Sequence, residues 1–448
     1  MAPRALVYGF AIAGEATARA LLKRGYKVVA ADDRPTEAAL AAARELGIDF
    51  HESPPESRIM RLVERADLVV PAPGIPEHHA LMEACARAAV PLRTEIDLAY
   101  EWEQARAGGP RPMLAITGTD GKTTTTLMAA AMIEASGQKA VAAGNTELPL
   151  VAALDRDADV FVVECTSFRL AYVSAFAPRA ATWLNLAPDH LDWHRSLDSY
   201  IAAKARIFAH QTERDVAIGL ADDPVVMARL AQAPARHVTF AAANATYHRD
   251  GDELVGPRGT FATVSSMARS LPHDITNALA AAATVLETGC ATVAGVARAL
   301  TTFQGVAHRI AYVGEAGGVR YYDDSKATTP HAAVTAMRAF DRVVLLAGGR
   351  NKGLDLAAMA EAHDHVRAVV GIGEAGPLMA EVFSPHCPVE LAPDSMEDAV
   401  AIARRLAQPG DVVLLSPGCA SFDWYTGYGA RGDDFARIVR HQIGAGAP

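Results

Sequence analysis

Residues 113–126 read MLAITGTDGKTTTT, an apolar run that breaks at a glycine turn carrying a lysine and continues with helical spacing. A short buried strand followed directly by a helix belongs in a largely parallel α/β sheet, where crossover helices cover the apolar faces. Gly118 and Gly121 let the intervening amides turn toward one point, and the dipole of the following helix adds positive potential there. Such a turn holds phosphate. A Walker A loop has four residues between its glycines, whereas Thr119 and Asp120 alone stand between these two, so the loop is a shorter version with the same parts. Lys122 is placed for the β/γ oxygens of a nucleotide, and the Thr123 hydroxyl for Mg²⁺. The plainer reading is a glycine-containing turn with a solvated lysine. It leaves the conjunction of strand, GxxGKT and helix unexplained.

The chain has 448 residues, length for about three domains. Its formal net charge is −10 without any basic run, which argues against a nucleic-acid or anionic-membrane surface. Cys85, Cys165, Cys290, Cys387 and Cys419 form no CxxC pair and are odd in number, which favours reduced thiols over a disulfide framework or a zinc site. Arg4, Glu15 and Arg19 break the N-terminal stretch, so it does not read as a secretory signal. No apolar run approaches the roughly 18–20 residues that span a bilayer. The expectation is a soluble, monomeric cytoplasmic protein acting on small molecules.

Three α/β rhythms follow one another. In the first, strands are expected over 4–10, 27–32 and 66–74, with a helix opening at Gly14. Residues 93–109 read as a helix running into a Gly/Pro break. The middle segment carries the phosphate loop, strands leading into ECTSFRL and NLAPDHLDWH, helical spacing over 200–210, hairpin material over 237–255 and a helix over 275–289. After 305–309 the pattern restarts, with strand-plus-loop units opening at 319, 342, 366 and 411. The fold class expected is α/β in three domains: a Rossmann-like 1–92, a P-loop ATPase-type 93–305 and a Rossmann-like 306–448.

Open α/β sheets bind ligands beyond the carboxyl ends of their strands. Glu164, ending VFVVE, and His190, in the loop after ATWLNL, are therefore candidates for a metal beside the phosphate loop. Each also has a structural reading, as a helix-capping acid or a loop histidine bonded to backbone. Lys204 reads as an ordinary exposed helix lysine. In the last segment, YYDDSKATTP, GGRNKGLD and SPGCASFDWYTGYGARG bring lysines and hydroxyls to strand ends, where they can hold a dicarboxylate or stand as a solvated basic surface. Asp32 and Asp33 follow a strand, where a carboxylate often accepts from a ribose or base, although a solvated turn fits equally.

Taken together, ITGTDGKTTT, ECTSFRL, NLAPDHLDWH, AAKARIF, GVAHR, YYDDSKAT, GGRNKG and LLSPGCASFDWYTGYGARGDDF resemble the Mur ligase family of three-domain, ATP-dependent amide-bond synthetases, over essentially the whole chain. DDSKAT with SPGCASFD resembles the glutamate-adding branch. The resemblance implies an enzyme of peptidoglycan precursor synthesis that joins D-glutamate to UDP-N-acetylmuramoyl-L-alanine through an acyl phosphate; the alternative is the same chemistry with L-glutamate or another acidic amino acid. It implies ATP as substrate, held by Gly118, Thr119, Asp120, Gly121, Lys122, Thr123, Thr124, Asn277, Arg309 and Asp324. Two Mg²⁺ ions are implied at Thr123, Glu164, His190 and Lys204, the last as a carbamate, and Lys122, Lys204, His190 and Glu164 as catalytic groups. Glutamate falls to Lys326, Thr328, Lys352, Ser421 and Tyr428, and the UDP-sugar to Ile12, Asp32, Asp33, Arg34 and Asn145. Against the family's usual pattern, Asp120 replaces Asn, Thr166 replaces Ser, Arg169 replaces Gln near the substrate carboxylate, and Tyr428 replaces Phe.

Overall fold

The computed structural model describes residues 2–145, 148–190 and 193–444, and the chain forms two compact units, Met1–Phe303 and Gln304–Pro448. The first unit opens with β1 (Arg4–Tyr8), β2 (Lys27–Asp32), β3 (Asp49–Glu52) and β4 (Leu68–Pro71), paired in parallel in the order β3-β2-β1-β4. The expected strand over 66–74 is thus the fourth and shorter. The strand ahead of it, DFHE, lies at the sheet edge with no residue fully buried, so it carries no apolar run to announce it. The first helix starts at Ile12, two residues before Gly14.

The second sheet contains β5 (Met113–Thr117), β6 (Ala140–Gly144), β7 (Val160–Glu164), β8 (Ala180–Trp183), β9 (Val216–Leu220), β10 (Arg236–Ala241), β11 (Tyr247–Asp250), β12 (Glu253–Gly256) and β13 (Gly259–Thr263). Their order is β13-β12-β11-β10-β9-β8-β5-β7-β6. β5, β7 and β8 are buried at every position, which is why they read as unbroken apolar runs rather than as alternation. Residues 237–255 hold one hairpin, but it forms between β11 and β12 around Gly251; β10 pairs in parallel with both β9 and β11. Helices Lys122–Ala135 and Pro272–Glu287 cover one face, packing Met128, Met132, Ile133 and Leu279 onto Leu114, Ile116 and Val162. On the other face the apolar cluster is continuous with that of the first sheet, from Ala5 and Val7 through Ile96 to Phe161 and Trp183. A shared core of this kind joins both sheets in one unit.

The second unit has β14 (Ala311–Ala316), β15 (Val319–Asp323), β16 (Val343–Gly348), β17 (Val366–Ile372), β18 (Val389–Leu391) and β19 (Val412–Gly418), in the order β14-β15-β19-β16-β17-β18. Only β14 is antiparallel to its neighbour. Among the described residues no helix is long and apolar enough to cross a membrane.

Candidate active site

In the second sheet β5 lies between β8 and β7, so the chain steps first to one side of β5 and then to the other. The loops after β5, β7 and β8 therefore open at one topological switch point, where an α/β sheet leaves a crevice. The loop after β5 is Gly118–Gly121, and Lys122 begins its helix. Gly121 caps that helix at φ 79, and a Cβ there would lie 2.7 Å from the Asn277 side-chain oxygen. Only glycine suits the position. Asn185, just beyond β8, accepts from the amides of Thr119 and Asp120, both at 2.9 Å, and holds the loop in shape. The Thr119 hydroxyl is fixed in turn by the Ala187 backbone and by the Tyr200 hydroxyl at 3.1 Å. Thr125, one turn into the helix, donates to Asn277 at 3.2 Å.

Two lysines meet at this loop. Lys122 Nζ donates to the carbonyls of Gly118 (2.9 Å) and Thr119 (2.7 Å), while Lys204 Nζ donates to the same Gly118 carbonyl at 2.6 Å. Lys204 is 1% exposed, not the solvated lysine its helix suggests. Burial first, and the charge of Lys122 second, hold its pKa well below the usual lysine value. Glu164 ends β7 and is 2% exposed. One carboxylate oxygen takes a 3.2 Å bond from the Asn145 side chain, and the other is buried with no hydrogen-bond partner among the described residues. A buried carboxyl oxygen left in that state can take a cation as its partner. Asn145 thus faces Glu164. His190 sits in the loop after β8 at φ 55, its ring packed edge-on to Phe168 at 4.6 Å. Among the described residues no three His, Cys, Asp or Glu side chains gather as a preformed cluster. Thr123 opens the phosphate-loop helix, Glu164 ends β7 and His190 lies in the loop after β8, at strand ends that lie side by side.

The strand ends of the first sheet enclose a cleft of about 600 Å³ lined by Asp32, Asp33, Arg34, Pro73, His79 and Trp193, among others. Asp32 accepts from the Phe10 and Arg34 amides, and Asp33 from the Tyr8 hydroxyl at 2.7 Å and His79 at 3.0 Å. Both acids are thus held in place by the protein. Ile12 is exposed beside the cleft, between the lining residues Ala11 and Ala13. Arg169, expected near a substrate carboxylate, donates through Nη1 to Glu95 at 2.6 Å, with both side chains buried. An arginine in the apolar setting of that helix needs an anion, and Glu95 supplies it.

In the second unit β15, β19 and β16 are neighbours with parallel directions, so their trailing loops share one end of the sheet. Lys326 Nζ lies 5.4 Å from the centre of the Tyr428 ring, and Lys352 Nζ 5.8 Å from that of Phe422. Thr328 follows on the β15 loop, and Ser421 is buried on the β19 loop. Arg431 ties these loops together. It is 1% exposed and donates to Ser325 Oγ and the carbonyls of Ser325, Cys419 and Ala420. Burial lowers its pKa to about 10. Asp324 accepts from Ser416 at 2.7 Å and from the Ile310 amide, next to Arg309; burial pushes its carboxyl up to about 7. Asn185, Tyr200 and Arg431 were not singled out by the sequence, since each looks like an unremarked polar residue until its partners are known.

A glycine-and-lysine loop at the switch point of a mostly parallel sheet defines a phosphate-loop nucleotide-binding protein. Residues 116–285 match the Mur ligase middle domain, and 308–419 match the Mur ligase, glutamate ligase domain. The chain is 41% identical to the UDP-N-acetylmuramoylalanine–D-glutamate ligase of Frankia casuarinae, covering 98% of this chain and 94% of that protein. It is 38% identical to the ligase of the same name from Syntrophus aciditrophicus, with 98% and 97% covered. Among solved structures, the UDP-N-acetylmuramate–alanine ligase of Thermotoga maritima shares the fold at a TM-score of 0.57 and 19% identity, with 99% of this chain and 100% of that chain covered. The chain belongs to the Mur ligase family.

Proposed function

We propose that the chain is an ATP-dependent ligase joining D-glutamate to UDP-N-acetylmuramoyl-L-alanine in peptidoglycan precursor synthesis. The observation that carries this reading is near-full-length identity to relatives bearing that name. The phosphate loop with its two converging lysines supplies the chemistry.

A carboxylate does not acylate an amine, because oxide is a poor leaving group. In the proposed reaction an oxygen of the L-alanyl carboxylate attacks the γ-phosphorus of ATP, the bond to ADP breaks, and an acyl phosphate forms. The glutamate amine, having lost a proton, adds to the acyl carbon, and phosphate leaves as the amide forms. The protein's part is positioning and charge stabilisation. Lys122 leaves the carbonyls of Gly118 and Thr119 for the β/γ oxygens, while the amides from Gly118 to Thr124 cradle the phosphates. Mg²⁺, when bound, neutralises charge developing on the transferring phosphoryl, and Thr123, Glu164 and His190 are the residues to hold it. Lys204 in its neutral form is a nucleophile for CO₂; N–C bond formation with loss of a proton would give a carbamate anion, whose oxygens would be donors for a second metal ion. Asn277, Arg309 and Asp324 are assigned to the nucleotide, and Asp32, Asp33, Arg34 and Asn145 to the UDP-sugar, with Ile12 at its rim. Lys326 and Lys352 pair with the glutamate carboxylates, with Thr328, Ser421 and Tyr428 beside them. Free cysteines, four of the five buried, fit a reducing cytoplasm, and we assign the chain as a monomer there.

The test is ADP release with UDP-N-acetylmuramoyl-L-alanine and either glutamate enantiomer. ADP should appear only with all three substrates present, and with the D form. Nucleotide hydrolysis without acceptor, and no new amide with everything supplied, would overturn the reading.

A further inference from the structure

One largely buried constellation has no part in the chemistry above. His194 Nδ1 lies 3.0 Å from Glu77 Oε1, and His194 Nε2 lies 2.9 Å from Ser167 Oγ. The connectivity is that of a nucleophile–base–acid triad. Ser167 and His194 are each only 2% exposed, however, so no acyl group reaches the serine. What the three residues join is more telling. Glu77 belongs to the loop that walls the UDP-sugar cleft, whose neighbours Pro76 and His78 line it, as does Trp193 next to His194. Ser167 opens the short helix Ser167–Leu170, three residues beyond Glu164. The His194 amide donates to the His190 carbonyl at 3.0 Å.

We infer that the Glu77–His194–Ser167 tie is a positioning device that registers the UDP-sugar cleft against the metal-binding side of the phosphate-loop crevice. The inference rests on the ligase reading above. Glu77 as a carboxylate only accepts, so Nδ1 of His194 carries a proton, and both ring nitrogens are committed. The ring is caged as well: Phe168 stacks on it at 5.8 Å and Tyr200 meets it edge-on at 5.2 Å. The same Phe168 packs against His190, and the same Tyr200 holds Thr119 of the phosphate loop. Glu77 takes a second bond from the Arg195 amide at 3.3 Å, and Arg195 returns one to the Glu77 carbonyl at 3.1 Å. A wall of the acceptor cleft is thereby fastened to His190 and to the helix that follows Glu164. Release of the tie leaves the nucleotide loop intact but lets the acceptor carboxylate and the metal side drift out of register, which phosphoryl transfer tolerates poorly.

The experiment compares wild type, Glu77→Ala, Glu77→Gln, His194→Ala and the Glu77→Ala/His194→Ala double variant. Glu77→Ala should lower kcat about tenfold, as loss of a supporting shell does. It should raise KM for UDP-N-acetylmuramoyl-L-alanine severalfold and leave KM for ATP within about twofold. Glu77→Gln keeps an acceptor for Nδ1 and should recover most of kcat, and the two alanine variants should be markedly non-additive. Additive losses, unchanged kinetics, or parallel rises in both KM values would overturn the tie. Glu77 lies on a loop, so its two variants decide the matter even if His194→Ala does not fold. Wild-type ligation is measured first, and its absence would count against the ligase reading alone. Mn²⁺ binding followed by electron paramagnetic resonance then tests the tie without turnover: Glu77→Ala should weaken it severalfold, and equal binding would overturn the inference.

Discussion

Two lysine side chains aimed at one carbonyl are the most informative feature at the scale of single residues. Gly118 O accepts from both Lys122 and Lys204, and two ammonium groups at one oxygen repel unless one of them is neutral. Lys204, buried and with its pKa held down, is the one to give up its proton. The two lysines therefore have different chemistry despite their shared partner. Lys122→Ala should keep the fold, because the side chain is only partly buried, and should lose on the order of 10²–10³ in kcat, the scale of one preorganised charge-stabilising group. Circular dichroism together with ADP release checks both halves; turnover close to wild type would remove Lys122 from the reaction. Lys204→Ala should be similarly impaired but regain part of its rate with millimolar formate or acetate, which restore an anion at the vacated position. A variant that loses nothing, or loses activity without any rescue, would rule out the carbamate. The first of these lysines is visible from GxxGKT. The second is not, because AAKARIF has the spacing of any amphipathic helix, and only the packing of Tyr200 and Gly118 around Nζ makes Lys204 a buried amine.

Elements carry what single residues cannot. The phosphate loop keeps its shape because Gly121 takes a left-handed conformation and Asn185 reaches in from the neighbouring strand end. Gly121→Ala should cost roughly 1 kcal/mol for the backbone alone. Its Cβ would also press on Asn277, so the loop must shift, and ADP affinity should fall about tenfold while the melting temperature drops by only a few degrees. Titration calorimetry with ADP reads this directly, and unchanged affinity would show that the loop does not need the turn. Strands β5, β7, β16 and β19 were legible because sheets buried on both faces impose continuous apolar runs. DFHE and Val389–Leu391 were not, since edge strands of three or four residues are held by backbone pairing and need no apolar pattern. The loops after β8 and β19 were legible as candidate sites but not in their internal wiring. Asn185 and Arg431 act through main-chain amides and carbonyls, which any sequence possesses, so their partners become apparent only once the strands lie side by side.

For the molecule as a whole, two compact units with separate cores imply two cooperative transitions on heating, and Asp324 provides a way to move one of them. Its carboxyl titrates near 7 in the folded unit because of burial, against 3.8 as the ordinary value. Between those values the folded state holds more protons than the unfolded chain, so stability falls as pH rises. The contribution of the neutral acid is complete below about pH 4 and is lost as pH climbs through about 7. That difference corresponds to roughly 4 kcal/mol at most. Asp324→Asn is neutral at every pH and close in shape. It should raise the second-unit transition at pH 8, match wild type near pH 4, and leave the Met1–Phe303 transition where it was. If Asp324 serves the nucleotide as proposed, the same variant should be the poorer ligase at the pH where it is the more stable protein, a charge kept in the core for function at the expense of stability. Scanning calorimetry from pH 4 to 8 beside ADP-release rates decides this. A stability difference that does not change with pH would mean that Asp324 is ionised throughout, and that its burial is balanced by Arg309 and Ser416 rather than by a proton.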